Sequence, residues 1–238
     1  MLVTTPAIVI SALKYGEADL VVKCFTQSDG LKSYLLRRIL KSKKGKLRTA
    51  MFQPATQLEI VAMHKDKGTL ESIRDAKVLH SYTTLHTDIY KTSIVLFLAE
   101  MLKNSIQEEE ENKELYTFLE NAFLWLDKNE HSANFHLYFI LELTRYLGFY
   151  PDTSTSSLPH FNMLTGNFEY TETIYSITED NLFILNSLLG IDFDALNAIK
   201  LNKTRRAAFV NMVIGYYELH LHGFKKPKSL TILNSLFN

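Results

Sequence analysis

Residues 7–13 read Ala-Ile-Val-Ile-Ser-Ala-Leu, residues 15–17 read Tyr-Gly-Glu, and residues 20–25 read Leu-Val-Val-Lys-Cys-Phe. This opening decides the fold class. Two runs rich in Val and Ile, each about a strand long, flank a glycine-bearing turn, which is a hairpin pattern. Ser28-Asp29-Gly30 makes a second turn, and residues 31–36 a third strand. The polar stretch Lys41-Ser42-Lys43-Lys44-Gly45-Lys46 is a loop. Gln57–Met63 alternates again, and residues 69–78 can form a fifth strand. Five short strands with turn signals predict a small closed barrel, because an open sheet would leave its edges exposed. An OB-fold is the natural five-stranded candidate; strand count alone leaves an SH3-like barrel open.

Beyond about Leu79 the period changes. Leu115, Phe118, Leu119, Ala122 and Leu126 recur at helical spacing behind a capping Asn112. Further helices are predicted over 84–105, over 135–147 (ended by Gly148 and Pro151), over 179–189 (between a Thr178 cap and Gly190), and over 203–221 (before Gly223 and Pro227). Residues 161–175 read as a small hairpin around Thr165-Gly166. The class is therefore α+β: a five-stranded barrel domain over 1–79 and an α-helical domain over 80–238, with a loop and hairpin insertion at about 151–176.

The chain has 238 residues, 46% hydrophobic and 12% aromatic, enough for a substantial core. One cysteine, Cys24, permits no internal disulfide and no four-cysteine zinc site. Its apolar strand makes it a buried structural thiol. The first residues lack the charged start and long apolar run of a signal peptide, and the apolar stretch 94–99 is too short to cross a bilayer, so a cytoplasmic location is expected.

Net charge is zero, yet it is segregated. Residues 1–79 carry fourteen Lys/Arg against seven Asp/Glu, and the remainder carries twelve against nineteen. Residues 31–50 hold eight basic side chains and no acidic one: Lys32, Arg37, Arg38, Lys41, Lys43, Lys44, Lys46 and Arg48. Such a cluster can neutralise successive phosphates. Tyr34 and Phe52 flank it, as stacking platforms for unpaired bases or as core residues. The combination points to single-stranded nucleic acid.

No catalytic pattern accompanies it. The sequence lacks a nucleophile elbow, a metalloprotease helix and a dinucleotide glycine fingerprint. Gly45-Lys46 superficially matches a phosphate loop, but Leu40 and Leu47 occupy positions that need Gly and Ser/Thr. The eight histidines are scattered, and His220 and His222 point to different helix faces. The acidic run 108–111 reads as a solvated loop. The aromatics Phe118, Phe123, Trp125, Phe135, Tyr138 and Phe139 read as core. No cofactor and no metal are expected. A magnesium nuclease built on Asp29 or Glu17 lacks a carboxylate cluster.

The order of motifs resembles the RecO family. Ala7-Ile8-Val9-Ile10, then Tyr15-Gly16-Glu17-Ala18-Asp19, then Phe25-Thr26 and Gly30, with basic residues following, is similar to its opening. Gln53-Pro54 before Gln57-Leu58-Glu59-Ile60 matches its next strand. Leu98-Ala99-Glu100, Leu147-Gly148-Phe149-Tyr150-Pro151-Asp152, Arg206, Tyr216-Tyr217 and Lys228-Ser229-Leu230 resemble its helical part. The resemblance implies an N-terminal OB-fold, a C-terminal helical domain, and non-enzymatic work in recombinational repair at the nucleoid. That work comprises binding single-stranded DNA, annealing strands, contacting single-strand-binding protein, and acting with RecR so that RecA loads. Many members hold zinc in four cysteines after the GFxPD-like motif. Here 153–168 contains none, so packing of Phe161 and Phe168 must hold the hairpin. Grooves near Arg206 and Tyr216 are the expected docking points for protein partners. A general RNA-binding barrel and a partner-binding adaptor are the rival readings.

Overall fold

In the computed structural model, residues 1–42, 45–65, 70–106, 110–130 and 133–236 are described. Lys43, Lys44, Thr69 and part of the acidic run, at 108–109, fall outside them. The chain divides into two compact units, Met1–Asp127 and Lys128–Asn238.

The first unit is built on five antiparallel strands: β1 (Leu2–Tyr15), β2 (Asp19–Thr26), β3 (Gly30–Leu36), β4 (Gln57–Met63) and β5 (Ser72–Val78), in sheet order β3-β2-β1-β4-β5. Strand β1 serves two neighbours. Its first half, from Leu2 to Ile8, pairs with β4, and its second half, from Ala7 to Tyr15, pairs with β2. A register shift between Val9 and Ser11 marks the bend where one pairing hands over to the other. The edge strands β3 and β5 then meet. Tyr34 and Glu71 form a parallel bridge, in which Glu71 N–H donates to the Ser33 carbonyl at 2.8 Å and Leu35 N–H to the Glu71 carbonyl at 2.9 Å. This isolated bridge ties β3 to the residue before β5, while the sheet itself stays open in the order β3-β2-β1-β4-β5, against the expected full closure.

The barrel interior is packed with Ala7, Val9, Leu20, Val22, Cys24, Tyr34, Leu36, Phe52, Leu58, Ile60 and Ile73. Ala7 and Val9 occupy one face of β1, while Ile8 and Ile10 on the other face are also buried. Helix α1 (Ile89–Ser105) packs against this strand, which explains why its centre is continuously apolar rather than alternating. Gly30 is required twice over. Its φ of +63° favours glycine, and a Cβ there would lie 2.2 Å from the Glu110 carbonyl oxygen.

Helix α1 is capped by Asp88, whose carboxylate accepts the Lys91 N–H at 2.9 Å, four residues beyond the predicted Thr84 start. Helix α2 (Lys113–Lys128) starts where Asn112 accepts the Leu115 N–H. In the second unit, α3 (Phe135–Tyr146), α4 (Glu179–Leu188) and α5 (Lys203–His220) follow their predicted spans closely. Thr178 caps α4 and Asn202 caps α5. A seven-residue α6 (Leu230–Leu236) was not foreseen. The predicted hairpin is β6 (His160–Asn162) paired with β7 (Asn167–Glu169). The Phe161 and Phe168 rings pack edge-on at 5.1 Å, both buried, in the way expected of a hairpin without cysteines. Among the described residues, no helix is long and apolar enough to cross a membrane.

Candidate nucleic-acid interface

A groove of about 680 Å³ opens on the first unit where the end of β3, the following loop, the second residue after β4 and the start of β5 converge. Among the described residues, Arg37, Lys46, Lys65 and Arg74 line it, with one carboxylate, Glu71. Each cation has a structural reason to be there. Arg37 immediately follows β3. Arg74 takes the outward position next to the buried Ile73 on β5. Lys65 follows β4, and its N–H donates to the Glu71 carboxylate at 2.8 Å, which ties the two sides of the groove's rear wall. Lys46 approaches Asp75 at 3.6 Å, an exposed pair that contributes little to stability.

The structure sorts the predicted basic cluster into four groups. Arg37 and Lys46 lie in the groove. Arg38 and Lys41 belong instead to a short 3-10 turn held by the first hairpin. Arg38, at φ +58°, donates its N–H to Asp19 Oδ1 at 2.7 Å, Lys41 Nζ pairs with Glu17 at 3.0 Å, and the Leu40 N–H donates to the Ala18 carbonyl at 2.9 Å. The Tyr-Gly-Glu-Ala-Asp turn is thus a clamp for the next loop. Arg48 lines a second, smaller hollow. Lys43 and Lys44 lie outside the described residues and belong to none of the four.

The fourth group corrects the sequence reading. Lys32 and Tyr34 point inward, on the same face of β3 as Leu36, and all three are buried. Tyr34 is fully enclosed; its hydroxyl is hydrogen-bonded to His64 Nε2 at 2.9 Å, and burial holds the phenol well above its ordinary pKa. Phe52 is likewise core. An enclosed ring has no face to offer a base, so neither aromatic is a stacking platform in this conformation. Burial also pushes the Cys24 thiol up to about 12, leaving no thiolate at neutral pH.

Sequence reasoning missed Lys65 and Arg74, since both stand apart from the cluster. Arg74 is carried outward by an irregularity in β5, where the register passes from Asp75 to Ile73, so plain alternation with the core-facing Ala76 and Val78 does not reveal it.

The predicted partner residues stand on one helix, α5. Arg206 stands in the first turn of α5, with Nη1 donating to the Leu201 carbonyl at 2.5 Å. Tyr216 is buried; its hydroxyl donates to the Phe149 carbonyl at 2.8 Å within a cluster containing Phe149, Phe161 and His220. Ten residues of helix separate the two by about 15 Å along the axis.

Fold and groove together define a class: an OB-fold barrel with a cationic groove, followed by helices. Family comparison gives the particular member. The family described as Recombination protein O N terminal matches residues 1–82, and Recombination protein O C terminal matches 86–230. The chain is 53% identical over 238 residues to DNA repair protein RecO of Christiangramia forsetii, and 48% identical to that of Flavobacterium psychrophilum, with all of both chains covered. It is 35% identical over its full length to the RecO of Bacteroides fragilis. The chain belongs to the RecO family of DNA repair proteins.

Proposed function

We propose that this protein is a non-enzymatic recombination mediator whose barrel groove captures single-stranded DNA with little sequence preference. One observation carries the reading: four cations from separate chain segments converge on one groove of an OB-fold barrel. Phosphates entering it release counterions, which supplies affinity that falls with salt. Neutralising the backbone lowers the repulsion between two complementary strands, so capture favours annealing without any chemical step or nucleotide. Residues 1–79 form the DNA-binding domain in this reading. Residues 80–238, with the insertion at 151–176, serve RecR and single-strand-binding protein, and RecA loading on coated DNA follows at the nucleoid.

The test is a set of titrations with labelled single-stranded DNA, single-stranded RNA and duplex of matched sequence, followed by an annealing assay. Preference for the DNA single strand and faster annealing are expected. Equal preference for RNA supports a general RNA-binding barrel instead, and no affinity for any of them supports an adaptor.

A further inference from the structure

A second hollow, of about 240 Å³, lies in the same unit. Arg48, Met51, Thr56, Val78, Tyr82 and His86 are among the residues lining it. It is continuous in chain terms with the cationic groove. Lys46 and Arg48 are two residues apart on one segment, and Arg74 and Val78 are four apart on β5, about 13 Å along the strand. A single strand with phosphates in the groove reaches the hollow within a few nucleotides.

The character of the hollow differs from that of the groove. Its walls include the side chains of Met51, Val78 and His80 and the two rings of Tyr82 and His86, and it is smaller than the roughly 300–1,000 Å³ of sites for drug-sized ligands. The rings are fixed by backbone carbonyls of one tight turn. Tyr82 OH donates to the Ala55 carbonyl at 3.0 Å, and His86 Nε2 bonds the Pro54 carbonyl at 2.9 Å. The rings meet edge to face at 5.5 Å. Thr56, 5% exposed, lines the same hollow, and among the described residues its Oγ1 has no hydrogen-bond partner. That oxygen lies beneath the accessible surface, so what the hollow offers a ligand is its apolar walls and ring edges. Arg48 stands exposed at this site.

Resting on the reading of the groove as a DNA site, we propose that this hollow takes one unpaired base of the strand whose phosphates occupy the groove. The apolar walls and ring edges accept a planar heterocycle of any identity. Arg48 meets the adjoining phosphate or lies against the base plane. Only an unpaired strand can offer a base in this way, so the hollow adds discrimination against duplex that the groove alone lacks.

The experiment compares a labelled DNA single strand with an abasic strand of the same length, which keeps every phosphate and has no bases. It uses the full chain and an Ala50→Leu variant; Ala50 is exposed and lines the hollow, so leucine fills it without changing charge. The wild type is expected to bind the abasic strand roughly tenfold or more weakly than the normal strand. Ala50→Leu is expected to reduce that difference while leaving abasic binding, which reports folding, unchanged. A strand carrying one 5-iodouracil should photo-crosslink to Tyr82, His86 or Met51. Equal affinity for both strands in the wild type overturns the base site and leaves the groove reading standing. An undiminished difference in Ala50→Leu, or crosslinks only outside the hollow, also overturns it. Failure to bind either strand overturns the groove reading itself, and the base site with it.

Discussion

The carboxylate of Asp127 accepts the backbone N–H of Leu85 at 2.8 Å across 42 residues of chain. The N–H groups of Thr83 and Thr84 converge on the same carboxylate, and Lys91 Nζ donates to the Asp127 carbonyl at 2.8 Å. One side chain at the end of α2 thus organises the segment leading from the barrel into α1. Burial alone raises its pKa, but the three backbone donors outweigh that and bring it down to about 2. A lowered carboxylate pKa contributes stability that is complete above the ordinary value of 3.8 and is lost as pH falls towards 2. Asp127→Asn is expected to cost about 2–3 kcal/mol at neutral pH. Urea unfolding at pH 7 and at pH 3 checks this: the deficit should shrink at the lower pH.

His136 on α3 gives a different acid sensitivity. Burial, with the nearby positive charge of Arg206, lowers its pKa from 6.5 to about 3. The unfolded chain then binds a proton below pH 6.5 that the folded chain refuses, so stability falls as pH drops through this range and is flat above it. The expected loss between pH 7 and pH 5 is about 2 kcal/mol. His136→Gln removes this contribution. Denaturant unfolding of both proteins across that interval should show a shallower decline in the variant.

Tyr34→Phe separates folding from binding. The hydroxyl is bonded to the buried His64, so its loss is expected to destabilise the barrel by about 1–2 kcal/mol. DNA affinity of the folded fraction should not change, because the ring is enclosed. A large fall in affinity at full folding would show that Tyr34 becomes exposed when DNA binds.

The salt dependence should distinguish groove cations from clamp cations. Each phosphate contact on a single strand contributes about 0.7 to the slope of log K against log salt. Replacing Arg37 and Arg74 together with Gln should therefore reduce the slope by about 1.4. Lys41→Gln should change it by much less, since Lys41 is paired with Glu17 outside the groove.

Much of the barrel was legible because β1, β2 and β4 carry Val, Ile and Leu in strand-length runs between turn residues. The bridge between Tyr34 and Glu71 was not, since it joins residues 37 apart without a local signal. The start of α1 was misplaced at Thr84 for a similar reason: the N–H groups of Thr83, Thr84 and Leu85 are taken up by distant Asp127. Helix α6 has only seven residues, too few for a helical period to show behind its Ser229 start signal. At the site, charge density located Arg37 and Lys46 but not Lys65 and Arg74, which only the barrel brings to them. Lys32 and Tyr34 were readable in principle, because strand alternation places them on the face of the buried Leu36.

The most direct measurement of the central claim is fluorescence anisotropy of a labelled DNA single strand against the wild type and an Arg37/Lys46/Lys65/Arg74→Glu variant at low salt, with circular dichroism to verify folding. The groove reading predicts tight, salt-sensitive binding by the wild type and none by the folded variant. Undiminished affinity in a folded variant would contradict it and move the DNA site away from the groove.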